Sequence, residues 1–435
     1  MTGEHPRQRE RRLVVEALAR VEGEGALRLV IADGALTAAE LRIYEPPRFF
    51  EAFLRGRAHT EASDLTSRVC GICPVAYQTS AWNAIEDACG VRVSEPVELL
   101  RRLLYCGEWI SSHALHIYLL HAPDFFGLPD AIALAHHDRA AIERGLRLKK
   151  AGNEILRSIG GRAIHPVNPR VGGFYRAPTH DDLWPLAEQL TAALDDALAT
   201  AEWVAGFDFP DATIDGDLLA LRHPERYALE NGLLTSASGL SAPPREFARH
   251  IVEHQVAHST ALHATLHGGP YLTGPLARYS LNFDQLSPLA RRTALAAGLG
   301  PTCRNPFRSI VVRAVEVVYA IEEALWLIDS YRPPRPAALD VPPRAATGHG
   351  VSEAPRGLLY HRYELDAEGT IRSATIVPPT SQNQAAIEAD VFDVASRNLH
   401  LDDAQLTALC ERAIRNHDPC ISCAAHFLTI TVDRR

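Results

Sequence analysis

The chain has 435 residues, 46% of them hydrophobic, with no long polar tract, so it can bury a large core, and its length alone allows two or three domains. A net charge of −9, a pI near 6.1 and the lack of a Lys/Arg run argue against nucleic acid or an anionic membrane surface as a partner. No apolar run reads as a membrane span, and the charged start at 1–12 lacks the apolar stretch of a secretory signal, so the expectation is a cytoplasmic protein.

Leu13–Ala19 and Ala26–Tyr44 read as strands, the second folded into a hairpin at Asp33-Gly34, a pair suited to a tight turn. Between them Arg20-Val-Glu-Gly-Glu-Gly is a polar bend that carries Glu22. Phe49–Leu54 starts a short helix with Glu51 on it. Pro74 at a first helical position opens a helix over Val75–Cys89 that stops at Gly90. Ser94-Glu95-Pro96 opens a longer one, to about His121, whose Leu99, Leu100, Leu103, Leu104, Ile110 and Leu115 fall at helical spacing. Asp138–Ile159 and Asp181–Val204 are two more long helices, with a Gly-bracketed loop holding His165 between them. Arg245–Leu266 is expected to be helical, which would place His250, His254 and His258 on one face. Such rows are common on polar faces, and spacing fixes no carboxylate partner, so no metal site is read there. Pro306–Ser330 is a strong helix, 331–344 a Pro-rich loop, Leu358–Val377 a β-hairpin across Asp366–Gly369, and Leu401–Asn416 a last helix. With no repeat and no flexible linker, the expected fold is mainly α (α+β). It is a single bundle-like helical domain over 1–435 with small antiparallel sheets near both ends.

The chain has eight cysteines. Cys89, Cys106, Cys303 and Cys410 lie in apolar surroundings and read as buried thiols. The other four form two Cys-x-x-Cys pairs near opposite ends, Cys70/Cys73 in Arg-Val-Cys-Gly-Ile-Cys-Pro and Cys420/Cys423 in Asp-Pro-Cys-Ile-Ser-Cys-Ala-Ala-His. Without a signal peptide, such pairs read as metal or redox sites. Asp418 can cap a helix with Pro419 at its first position, and Cys73 precedes Pro74, so helix-start amides are available to thiolates. By spacing alone the four sulfurs could be a structural Cys₄ zinc site, a soft-metal redox site or two separate dithiols.

These two stretches resemble the paired signatures of the nickel–iron hydrogenase large subunit. The resemblance runs through nearly the whole chain, in Arg20-Val-Glu-Gly, Gly161-Arg162-x-x-His165-Pro, Gly274-Pro-Leu-Ala-Arg278, Glu353-Ala-Pro-Arg-Gly357 and Val377-Pro-Pro-Thr380. It implies that Cys70 and Cys420 are terminal nickel ligands and that Cys73 and Cys423 bridge nickel and iron. The iron would carry one carbon monoxide and two cyanides, installed by nickel and iron insertion proteins. The implied activity is reversible heterolytic cleavage of dihydrogen, with Cys420 as first proton acceptor and Glu22 as relay. Arg356 would stand over the metals beside Pro355. Val377, Pro378 and Thr380 would line the diatomic ligands, with Pro379 where many relatives have Ser. Glu51, the Thr375 carbonyl and His426 would hold magnesium or a similar ion.

Two positions depart from the usual pattern. Tyr77 stands where many large subunits carry the His that bonds a bridging sulfur, and Ser112 where many membrane-bound relatives carry Asp. The Pro-Val-Ala-Tyr-Gln run at 74–78 is most similar to the cytoplasmic, multimeric hydrogenases coupled to NAD(P). The chain shows no Fe–S ligand set and no dinucleotide fingerprint. Its implied partners are therefore an Fe–S small subunit and flavin/Fe–S diaphorase-type subunits. His113, His116 and His121, in a long helix and its end, read as packing groups or as groups supporting the metal ligands from behind, with contact to the partner subunit as a further option. The family's maturation protease cuts after the C-terminal His, which here would remove 427–435. A hydrogen-sensing subunit with the same site would differ in turnover, and a zinc protein in its metal content.

Overall fold

The computed structural model describes residues 10–46 and 49–426. Four long helices, Glu95–Leu115, Arg139–Gly160, His180–Ala205 and Ser309–Asp329, pack on one another to form the main core. Each starts where a local signal ends the preceding loop. Asp138 accepts the Ala141 N–H at 2.9 Å, and Thr179 accepts that of Asp182 at 3.2 Å. Ser309–Asp329 is apolar on nearly all faces and accordingly lies inside the bundle. The Glu95–Leu115 helix runs on through a π turn, His116–His121, into Ala122–Phe125, as the expected end near His121 required.

Small sheets surround the bundle. Near the start, Glu10–Val15, Gly25–Ala32 and Ala35–Ile43 form an antiparallel sheet, turned at Asp33 and Gly34, which both take positive φ, 52° and 80°. Near the other end, Ala346–Ala354, Gly357–Leu365 and Ile371–Val377 form a second. Its last two strands are the expected hairpin, whereas the first strand escaped a reading that had stopped at a Pro-rich loop. A four-stranded sheet lies mid-chain, its strands Tyr271–Leu272 and Asp217–Arg222 paired in parallel.

One expected element is wrong. The 245–266 segment is not a helix: after one turn at Phe247–His250 it forms a hairpin, Ile251–His254 against Leu266–His263. Phe247 and Ile251 do match helical spacing, but Ile251, Val252 and Glu253 also alternate buried, exposed and half-buried. The pairing across the hairpin and its packing on the Pro379–Arg397 helix decide in favour of strand. The row of His250, His254 and His258 on one helical face therefore does not exist.

Two contacts place the site. The N-terminal sheet buries Leu27, Leu29 and Leu41 against Ile387, Val391, Leu406 and Ile414 of the helices Pro379–Arg397 and Asp403–Asn416, which brings the two ends of the chain together. The Ala346–Ala354 strand lies directly on the Pro74–Cys89 helix. A Cβ at Gly348 would stand 1.9 Å from the Ala84 carbonyl oxygen, and one at Gly350 2.0 Å from that of Ser80, so only glycine permits the approach.

Candidate metal centre

Cys70–Cys73 is a tight loop whose Ile72 and Cys73 N–H groups both point at the Cys70 sulfur, each at 3.3 Å. The helix after it starts at Pro74, and its open Val75 and Ala76 amides are taken by the Glu108 carboxylate at 2.6 and 3.0 Å. Glu108 is fully buried on the neighbouring helix, and burial pushes its carboxyl well above the usual range. Its role as anchor of the first pair was invisible in the sequence, because nothing local links 75 to 108. At the other pair Asp418 takes φ 51° and does not cap a helix. The last turn is Ile421–Ala424, with Cys420 just outside it, so the expected placement of Pro419 at a helix start fails as well. Asp418 is used instead as the partner of Arg356.

The four sulfurs of Cys70, Cys73, Cys420 and Cys423 lie within 4.8 Å of one another, all buried. Cys70 Sγ is 3.6 Å from Cys420 Sγ, and Cys73 Sγ is 4.0 Å from Cys423 Sγ. Both distances are far beyond a disulfide. They match the separation of about 3.8 Å expected between two thiolates bound to one tetrahedral metal at about 2.3 Å each. Crowding makes the thiols unequal. Hydrogen bonds from Cys420, then Cys423 and Cys73, lower Cys70 well below the ordinary thiol value, while burial raises Cys420 and Cys423. Four such groups are held together without repulsion only when protons or a cation compensate them.

Glu22 joins this cluster from the other end of the chain. Its backbone pairs with Cys420 in a one-residue parallel bridge, where the Ile421 N–H donates to the Glu22 carbonyl at 2.9 Å. Its Oε2 accepts from Cys420 Sγ at 3.1 Å and from the Ser422 N–H at 3.1 Å, and the Ser422 hydroxyl donates to Oε1. The nearby Arg20 is not its partner; it pairs with Asp124. Arg356 is 2% exposed, donates from Nε to the Asp418 carbonyl at 2.9 Å and from Nη2 to its carboxylate at 3.1 Å, and has no hydrogen bond at Nη1 among the described residues. Burial opposes its charge, but Asp418, Cys420 and Cys73 outweigh that and hold it protonated.

Behind Arg356 stands a buried polar cluster that sequence reasoning missed. Arg278 donates to the carbonyls of Ala354 and Pro355 at 2.6 and 3.0 Å, and to Glu316 and Glu353 at 2.9 and 3.1 Å. Glu316 in turn holds His113 at 2.9 Å. Arg278 lies in a recognisable motif, but its partners come from two distant segments, around 316 and 353–355. His113, His116 and His121 are all buried within the chain, so they are packing groups and not partner contacts. Ser112 is buried, and its hydroxyl has no hydrogen-bond partner among the described residues.

The remaining expected residues fall into two groups. Thr380 Oγ1 accepts the Cys420 N–H at 2.9 Å; Val377 ends a strand, and Pro378 and Pro379 lead from it into the helix that carries Thr380. Glu51 accepts the Ile376 N–H at 2.7 Å, beside Thr375, and its second oxygen lies 3.2 Å from His426 Nε2. Glu253 adjoins this second group: burial raises its carboxyl to about 7, His426 and Glu51 act on it, and its Oε1 has no hydrogen-bond partner among the described residues. Misreading its segment as a helix hid it. Tyr77 is buried, its ring 5.7 Å from that of His361, an imidazole kept neutral by burial with its pKa at about 3. Arg48 and 427–435 lie outside the described residues.

The comparisons agree with this geometry. The nickel-dependent hydrogenase family profile matches residues 48–159 and 310–426, which include all four cysteines. The alpha subunit of sulfhydrogenase 1 from Pyrococcus furiosus is 33% identical over 423 residues, 96% of this chain and 98% of that protein. The beta subunit of the NAD-reducing hydrogenase HoxS from Cupriavidus necator is 27% identical, covering 96% of this chain and 95% of its own. The crystal structure of an NAD⁺-reducing [NiFe]-hydrogenase in the H₂-reduced state superposes with a TM-score of 0.86 at 27% identity, over 96% of this chain and 99% of that one. A [NiFeSe]-hydrogenase from Dm. baculatum, at 22% identity and a TM-score of 0.78, shares the fold. Zinc as the occupant of the sulfur cluster is thereby set aside. Four buried thiols gathered from both ends of one chain, a carboxylate on one of them and this likeness along nearly the full length lead to one conclusion: the chain belongs to the nickel-dependent hydrogenase family, as its catalytic large subunit.

Proposed function

We propose that this large subunit holds a nickel–iron pair on Cys70, Cys73, Cys420 and Cys423 and serves an enzyme that exchanges electrons between dihydrogen and NAD(P). The observation that carries the reading is the compact sulfur cluster with Glu22 at 3.1 Å from Cys420 Sγ. Bound there, nickel and a low-spin iron carrying carbon monoxide and two cyanides supply the site for heterolytic cleavage of dihydrogen. Cys70, Cys73, Cys420 and Cys423 would hold the pair through their sulfurs, Cys70 and Cys420 as terminal ligands and Cys73 and Cys423 as shared ones.

The chain's own groups then have definite work. Cys420 Sγ takes the proton of the cleavage, and Glu22 accepts it along the existing contact. Ser422 keeps Glu22 oriented through both its N–H and its hydroxyl. Arg356 contributes fixed positive charge, held in place by the carbonyl and carboxylate of Asp418, while Arg278 secures the Pro355 carbonyl that precedes it. Val377, Pro378 and Thr380 would line the diatomic ligands, and Glu51, the Thr375 carbonyl and His426 would hold magnesium.

Electrons leave through an Fe–S small subunit and flavin/Fe–S diaphorase-type subunits, in keeping with the NAD-reducing relatives. A nicotinamide acceptor implies a cytoplasmic setting, and among the described residues no helix is long and apolar enough to cross a membrane. The 1–435 chain forms one domain, loaded by insertion proteins and trimmed after His426 by a maturation protease. Metal analysis and infrared spectra of the assembled enzyme test the centre. Nickel and iron near one each, with carbon monoxide and cyanide bands, are expected; their absence from active enzyme would overturn the assignment. Reduction of NAD⁺ or NADP⁺ by dihydrogen in the purified complex tests the acceptor.

A further inference from the structure

Outside the sulfur cluster, one other group of side chains converges as metal ligands do. His258, His263 and Glu388 each present a ligand atom within 4.8 Å of the others. They come from three places: the loop of the 251–266 hairpin, its returning strand and the middle of the Pro379–Arg397 helix. His258 Nε2 lies 2.8 Å from Glu388 Oε1, which also accepts the Leu41 N–H at 2.8 Å. His263 is 4% exposed, and its Nε2 has no hydrogen-bond partner among the described residues. A buried ring nitrogen without a partner is costly unless something fills its place.

We propose that His258, His263 and Glu388 form a second metal site, for a zinc-class divalent transition ion, separate from the nickel–iron centre and from the Glu51/His426 group. Two imidazoles and one carboxylate are a donor set that suits such ions and disfavours magnesium. His263 is ready to bind at neutral pH, since burial and then the neighbouring His258 and His254 depress it to about 4, leaving it an unprotonated donor. The contact between His258 and Glu388, 2.8 Å, needs to open by about half an ångström to admit a tetrahedral ion bound at about 2.0–2.1 Å to nitrogen and oxygen. His258 and Glu388 keep 23% and 18% of their side chains exposed, which leaves a path of entry and room for a water ligand.

The site has a structural task. The loop it would fasten also carries Thr260, whose carbonyl accepts the His426 N–H at 3.0 Å, and Ala261, which bridges to Ala425. An ion at His258, His263 and Glu388 would tie that loop to the Pro379–Arg397 helix, which carries Thr380 against Cys420. It would thus brace the segment following the second cysteine pair from outside.

The test uses the assembled enzyme incubated with zinc, freed of excess by gel filtration and analysed for all metals. One zinc per large subunit beyond nickel and iron is expected. It should be lost in His263→Ala and in Glu388→Gln, with the nickel-to-iron ratio and the infrared bands unchanged. Cobalt loading should give visible ligand-field absorption that both variants lose and Glu51→Gln retains. No zinc above nickel and iron in the wild-type enzyme, or equal zinc in wild type and variants, would overturn the proposal. If His263→Ala does not assemble, His258→Gln gives the same reading, and zinc retained there counts against the site.

Discussion

Glu22 is the residue on which turnover should depend most without affecting assembly. Its carboxylate touches Cys420 but ligates no metal in the proposed centre. Glu22→Gln should therefore keep nickel and iron and slow dihydrogen–deuterium exchange by about 100-fold or more, the usual weight of a positioned acid–base group. Isotope exchange measured beside metal content checks this, and unchanged exchange would remove Glu22 from the proton path. His361 lends itself to a pH experiment. Buried and neutral, with its pKa at about 3, it resists protonation in the fold, whereas in the unfolded chain it takes a proton below about 6.5. Its contribution to stability is thus present above that pH and is lost as the pH falls. In His361→Gln that loss is absent, so the stability gap to wild type should shift by about 1.4 kcal/mol per pH unit below pH 6.5. Denaturant midpoints of both proteins at several pH values give the answer. The sequence pointed to Glu22 through its motif. His361 is far from Tyr77 in the chain, and only the packing of the Pro74–Cys89 helix on the Gly357–Leu365 strand brings their rings together.

Among elements, the Pro74–Cys89 helix is the one most tightly determined by its surroundings. Glu108 closes its start, and the Gly348 and Gly350 backbone closes its flank. Gly350→Ala puts a methyl 2.0 Å from the Ser80 carbonyl oxygen, so the strand and the helix must separate. The expected cost is about 1–3 kcal/mol, with reduced nickel retention because Cys73 directly precedes the helix. Glu108→Ala leaves two buried N–H groups unpaired, at about 1–3 kcal/mol each, with the same consequence for metal content. Melting temperature and nickel per chain measure both. The helix was legible from Pro74 and Gly90, but its glycine neighbours were not, since close approach leaves no local sequence mark. The 251–266 hairpin shows the converse. Its local pattern admitted a helix, and packing on a distant helix chose otherwise.

Across the whole molecule, the two ends must meet before a site exists. The apolar face of the N-terminal sheet packs on the last two long helices, which aligns Glu22 with Cys420. If maturation trims the chain after His426, active enzyme should end nine residues short of Arg435 (435 − 426 = 9), as intact-mass spectrometry would show. Active enzyme with the full C-terminus would refute that step. Chain from cells denied nickel should retain the tail and melt at a lower temperature, because the clustered buried thiols then lack a compensating cation.

The sequence by itself determined the ligand chemistry. Two Cys-x-x-Cys pairs, a Glu in a Gly-rich bend and the apolar periodicity of the long helices are local signals, each carried by a few neighbouring residues. Tertiary structure alone decided which groups share a site. Glu108 under the first pair, Asp418 on Arg356, Arg278 between Glu316 and Glu353, and Glu388 between two histidines are partnerships across tens to hundreds of residues. Such pairs are selected by burial and charge compensation in the packed interior. Those forces act through space, and spacing along the chain does not encode them.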